Sequence, residues 1–100
     1  MKTVDFIVVG QGIAGTLLAF DLIDANKSVV IIDVNLKASA SRVAAGLINP
    51  VGMKRCVPSY NSHLYFPKAI ERYRQLEQKL GVNFLELKPI LRLFLSLIHI

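Results

Sequence analysis

The run TVDFIVV, Thr3 to Val9, is β-branched and apolar almost without a break, and it stops at Gly10. Such short, near-continuous apolarity marks a strand covered on both faces, as in a parallel sheet. From Ile13 the spacing becomes helical. Ala14, Leu17, Leu18, Phe20, Leu22, Ile23 and Ala25 cover most of a helix surface and leave Asp21 and Asp24 as its wet edge, so a largely covered helix is expected. Asn26 suits a left-handed residue that ends it. Ser28 to Asp33, SVVIID, is a second strand of the covered type. Strand, helix and strand over residues 3–33 make a βαβ unit with parallel strands.

The pattern is less regular afterwards. Residues 34–61 are rich in Ala, Ser, Gly, Asn and Pro and read as loop, with a short helical stretch around Ser41 to Ala45. Pro67 suits the first turn of a helix that runs over about 67–80 and stops at Gly81. Ile70, Tyr73, Leu76 and Leu80 form its apolar stripe. Phe84 to Leu87 alternates apolar with polar, and a second apolar run begins at Ile90, after Pro89. Both runs are expected to be strand.

Composition changes this picture in two places. The mean hydropathy, +0.47, is high, yet the longest uncharged run, Phe6 to Phe20, is only fifteen residues and holds three glycines. A spanning helix needs about twenty residues, so no membrane span is expected. Asp5 at the start of that run, with no small-residue cleavage pattern after it, argues against a secretory leader. The single cysteine, Cys56, allows no internal disulfide and fits a reducing, cytoplasmic setting.

The net charge is +5, and the first fifty residues balance four basic against four acidic side chains. The excess therefore lies in the second half. Its basic residues are scattered singly among glutamates, which reads as a solvated helix face rather than a nucleic-acid surface. His63 and His99 have no metal-ligand spacing to each other or to Cys56, and no metal site is expected.

The chemistry lies in Gly10-Gln11-Gly12-Ile13-Ala14-Gly15, which fits G-x-G-x-x-G. The hexapeptide follows a predicted strand and opens a predicted helix. Asp33 stands eighteen residues beyond Gly15, at the end of the second strand, where a ribose-binding acid belongs. Gly10 permits the tight turn out of the strand, Gly12 lets a pyrophosphate approach the backbone, and Gly15 lets the helix pack closely. First-turn N–H groups, at the positive end of the helix dipole, would hold the phosphates without a lysine. Candidate dinucleotide-binding positions are therefore Gly10, Gly12, Ile13, Ala14 and Gly15 in the loop, with Asp33 and the adjoining Val34. A carboxylate at 33 disfavours a 2′-phosphate. The motif alone leaves open which dinucleotide is bound.

The opening VDFIVVGQGIAGTLLAFDLIDANKSVVIID resembles the N-terminus of FAD-dependent oxidoreductases. Ala40-Ser41-Arg42-Val43-Ala44-Ala45-Gly46-Leu47-Ile48-Asn49-Pro50 is similar to a small-residue segment of the D-amino-acid oxidase and glycine oxidase family. The resemblance is good over residues 3–50 and looser beyond, through Lys88-Pro89-Ile90-Leu91-Arg92. It implies a Rossmann-like α/β FAD/NAD(P)-binding βαβ domain, incomplete in this chain. It also implies FAD as cofactor, with contacts at Ala40, Ser41, Arg42, Ala45, Gly46 and Leu47. The function it implies is oxidation of the carbon–nitrogen bond of a small amine or amino acid, with flavin as hydride acceptor.

In that family the substrate-gripping residues come later in the chain, so no catalytic residue is assigned here. Three alternatives are an NAD-binding dehydrogenase fragment, an inactive nucleotide-binding module, and the oxidase domain of a tRNA-modifying flavoenzyme. The chain ends inside an apolar run, ILRLFLSLIHI, whereas natural ends are usually exposed and polar. SLIHI also resembles translated sequencing-adapter sequence. The chain is therefore expected to be an N-terminal fragment that is inactive alone, with residues 96–100 non-native.

Overall fold

A computed structural model of the protein describes residues 3–52, 55–91 and 93. They fall into two compact units, Met1–Leu47 and Ile48–Ile100.

The first unit is the βαβ element. Strand β1, Phe6–Val9, runs into helix α1, Ile13–Asp24, which returns the chain to strand β2, Val29–Ile32. The strands are parallel, with Phe6 opposite Val29 and Val9 opposite Ile32. Polar contacts close both ends of the ladder. At the start, the Ser28 N–H and hydroxyl each donate to Asp5 Oδ2 at 2.8 Å, and the Asp5 N–H donates to Ser28 Oγ at 2.9 Å. These donors hold the Asp5 carboxyl below its usual pKa, the Ser28 backbone N–H contributing most and its hydroxyl next. At the far end the Gly10 N–H donates to the Ile32 carbonyl at 2.8 Å.

Helix α1 ends as its sequence predicts. Asn26 adopts φ +58°, and the Asn26 and Lys27 N–H groups donate back to the Ile23 and Leu22 carbonyls. The helix packs on both strands, with Val8 and Ala19 buried at the contact. Coverage departs from expectation here. Ile7 is 62% exposed and Val9 81% exposed, and Ile13, Leu18 and Ile23 on α1 are about half exposed. Among the described residues α1 packs on both strands, and the strand faces that the sequence expects to be covered are partly open. An open apolar groove, lined by Phe6, Val8, Ala14, Leu18 and Leu22, runs between β1 and α1.

The predicted helix around Ser41 to Ala45 is a single turn, α2, Ala40–Val43.

In the second unit, helix α3 covers Ser62–Leu80. It starts five residues before the expected Pro67, which lies inside it. Proline has no N–H and is costly in a helix interior, which is why the sequence points to a later start. The added turn is held by the Asn61 carbonyl, which accepts from the Leu64 and Tyr65 N–H groups at 2.9 and 3.1 Å. The stop is as expected: Gly81 is left-handed, φ +67°.

Phe84 to Leu87 is not strand. Glu77, almost wholly buried on α3, accepts from the Phe84 and Leu85 N–H groups at 2.8 and 2.7 Å. Those N–H groups serve a side chain, so they are not available to a ladder. Arg74 Nη1 completes the arrangement, donating to Glu77 Oε2 at 2.8 Å and to the Leu85 carbonyl at 3.0 Å. The Phe84 ring meets Tyr73 edge-on, with centroids 6.0 Å apart. Ile90 and Leu91 are not strand either. The rest of that run, and the non-native ending expected at 96–100, lie outside the described residues.

Candidate functional site

The turn from β1 into α1 places the three motif glycines under different constraints. Gly10 has φ +96°, a conformation that L side chains rarely adopt, and no atom lies within 4 Å of where its Cβ would stand. Gly12 caps α1 with an extended backbone that any residue can adopt. Its restriction is space, since a Cβ there would lie 3.3 Å from Ser41 Oγ. Gly15 is the tightest. A Cβ would come within 2.0 Å of the Gly10 carbonyl oxygen and 3.4 Å of Val8 Cγ1. The third glycine therefore lets the first turn of α1 lie against the loop that precedes it.

Two side chains from elsewhere in the unit close on this loop. Asp33 follows β2, and its Oδ1 accepts the Gln11 N–H at 2.8 Å. Its Oδ2 accepts the Asn35 N–H at 2.6 Å. The carboxyl sits below its usual pKa, chiefly because of the Gln11 N–H, then the Asn35 N–H, with a smaller contribution from the Arg42 charge. Asp33 is thus an anion at neutral pH, fixed at both oxygens, and each oxygen keeps a lone pair for a further donor. Val34, next along, is largely exposed.

Ser41 is the second. Its Oγ accepts the Ile13 N–H at 3.0 Å, so the hydroxyl from α2 takes one of the donors that a helix N-terminus leaves unpaired. The sequence predicts free donors along the whole first turn; the structure gives Ile13 to Ser41 and Gln11 to Asp33. Among the described residues, none accepts from the N–H groups of Gly12, Ala14 or Gly15. Those three donors, at the positive end of the α1 dipole, are what the loop offers to an anion.

The small-residue segment meets the loop through Ser41. Ala40 begins α2, and the Arg42 guanidinium donates to Asn35 Oδ1 at 3.0 Å and to the Leu36 carbonyl at 3.3 Å. Ala45, Gly46 and Leu47 are exposed, and Gly46 has φ +72° with open space on its Cβ side. Among the described residues no hydrogen bond joins these last three to the glycine loop.

Sequence reasoning missed Asn35. The local signal was present, since Asp-Val-Asn carries an acid two residues before a side chain that tolerates the left-handed region. No group of His, Cys, Asp and Glu among the described residues could hold a metal ion. No helix among them is long and apolar enough to cross a membrane.

A parallel βαβ unit, a glycine turn with open first-turn donors and a carboxylate at the end of β2 together define a Rossmann-like dinucleotide-binding domain. Comparison with known families narrows the class. The family model for FAD dependent oxidoreductases (DAO) matches residues 5–96, and the chain belongs to that family. Its fold is accordingly the Rossmann-like FAD-binding fold, present as an incomplete βαβ domain, and its cofactor is FAD. No curated protein and no solved structure matches the chain.

Proposed function

We propose that this chain carries the adenosine and pyrophosphate half of an FAD site. In this reading the enzyme oxidises the carbon–nitrogen bond of a small amine or amino acid. FAD, when bound, supplies the hydride acceptor; the residues of this chain bind and orient it. The N–H groups of Gly12, Ala14 and Gly15 would hold the pyrophosphate, with Gly10 and Gly12 leaving the backbone open to its approach and Ile13 in the same turn. Asp33 takes the hydroxyls of the adenosine ribose, and Val34 borders the adenosine. Ala40, Ser41, Arg42, Ala45, Gly46 and Leu47 form a second wall along the cofactor, where alanine and glycine let a flat ring system approach the main chain.

One observation carries this reading. The Asp33 carboxylate is anchored on the Gln11 N–H at 2.8 Å, so the ribose acid and the phosphate turn are parts of one cradle. The similarity of the 40–50 segment to amino-acid oxidases supports the substrate class. The lone, exposed Cys56 supports a cytoplasmic setting.

The test is anaerobic titration of the flavin-loaded protein, expressed from the complete gene, with glycine, D-amino acids and simple amines. Bleaching of the flavin absorbance by one of these is expected. A flavoprotein that none of them reduces, but that an alcohol or hydroxy acid does, overturns the substrate class.

A further inference from the structure

We propose that Arg42 is a positioning residue for the ribose-binding carboxylate: through the Asn35 side chain it fixes the turn that aims Asp33 at the adenosine 2′-hydroxyl. This rests on the FAD reading of the site.

The two oxygens of Asp33 are held from opposite sides. The Gln11 N–H on Oδ1 comes from the glycine turn, which the βαβ packing already fixes. The Asn35 N–H on Oδ2 comes from an exposed loop. Rotation about the N–Cα bond of Asn35, at φ +53° in a left-handed region that Asn tolerates, sets where its side chain and Leu36 lie relative to that N–H. Arg42 ties both to α2. One of its amino groups donates to Asn35 Oδ1 at 3.0 Å and the other to the Leu36 carbonyl at 3.3 Å. A single planar guanidinium thus grips both the side chain of residue 35 and the main chain of residue 36.

A lysine ammonium, a compact and strongly hydrated charge on a flexible stem, lacks this rigid fork. The charge of Arg42 also lowers the Asp33 pKa, but only as the smallest contribution. The geometric and electrostatic roles separate experimentally. Loss of the brace leaves Asp33 ionised and still bonded to Gln11, but free to swing about that bond. Recognition of the 2′-hydroxyl should weaken while the pyrophosphate contacts persist.

The experiment measures the affinity of the full chain for FAD and for FAD lacking the adenosine 2′-hydroxyl, by flavin fluorescence. The wild type should prefer FAD over the deoxy analogue by roughly tenfold, as a hydrogen bond to a charged group gives. In Arg42→Ala the preference should fall to about twofold or less, over and above any loss of affinity common to both ligands. Arg42→Lys should resemble Arg42→Ala. Asn35→Gly keeps the backbone N–H donor and removes the whole side chain, with the Oδ1 that Arg42 grips; it should lose part of the preference, and adding Arg42→Ala to it should cost little more.

Variants that bind both ligands more weakly by the same factor would reduce Arg42 to a general structural role and overturn the proposal. Full preference in Arg42→Lys would assign the effect to charge and overturn it equally. Wild-type protein that binds FAD without preferring it to the analogue would remove the ribose role of Asp33, and the proposal with it. Wild-type protein that fails to bind FAD would instead remove the FAD reading itself.

Discussion

Gly15 and Gly10 approach so closely that a single methyl group on the first would lie 2.0 Å from the carbonyl oxygen of the second. The obstacle is backbone at the end of β1, which cannot swing aside as a side chain would. Gly15→Ala should therefore force α1 away from the turn and destabilise the unit by about 3 kcal/mol, the upper end of overpacking costs. Gly10→Ala meets no atom within 4 Å but sits at φ +96°, so a smaller loss of about 1–2 kcal/mol is expected. Thermal unfolding of both variants checks the order; a more stable Gly15→Ala than Gly10→Ala would contradict it.

Ser41→Ala removes the acceptor of the Ile13 N–H. The site is exposed and water can replace the hydroxyl, so the cost should be about 1 kcal/mol. Amide exchange at Ile13 should speed up roughly fivefold, the equivalent of that energy. Ser41→Thr keeps the oxygen and should exchange at the wild-type rate.

Glu77 holds the segment after α3 in place of a strand ladder. Glu77→Ala should accelerate exchange at Phe84 and Leu85, whose N–H groups it accepts. Glu77→Gln keeps one carbonyl acceptor and should retain part of the protection. Unchanged exchange at both amides in the alanine variant would show that the Tyr73–Phe84 contact suffices alone.

Asp5, Asp33 and Glu77 all titrate below their ordinary values of 3.8, 3.8 and 4.5. For Glu77 the Leu85 N–H is the main cause, followed by the Arg74 side chain. A carboxyl whose folded pKa is depressed contributes stability that is complete above the unfolded value and is lost as pH falls through the folded one. These three groups should leave the melting temperature flat from about pH 8 to 5 and lower it below about pH 4. Asp5→Asn should make that acid limb shallower. A melting temperature that changes by the same amount below pH 4 in Asp5→Asn as in wild type would remove Asp5 from the account.

The parts of the fold that were legible in the sequence are those with a period or a fixed stereochemical demand. The βαβ unit shows in the switch of spacing at Gly10, and Asn26 and Gly81 show because few residues accept positive φ. The start of α3 was hidden because Pro67 has no N–H, and nothing local reveals that a helix tolerates the lost bond. Glu77 reads as one more surface glutamate; only the arrival of the Phe84 and Leu85 backbone explains its burial. In the site, each residue type pointed to its chemistry, but the bonds from Ser41 to Ile13 and from Arg42 to Asn35 depend on where an irregular loop falls in space. No periodicity reports that.

The Gln11–Asp33 bond spans twenty-two residues, and every contact of the first unit lies within forty-seven. The cradle closes through the parallel pairing of β1 with β2 across α1, a non-local pairing whose loop-closure entropy nonetheless grows only slowly with length. Its glycine turn and ribose carboxylate can be paired before any later part of the polypeptide is synthesised. FAD would then meet a cradle that is already shaped, and binding would not have to supply the cost of ordering it.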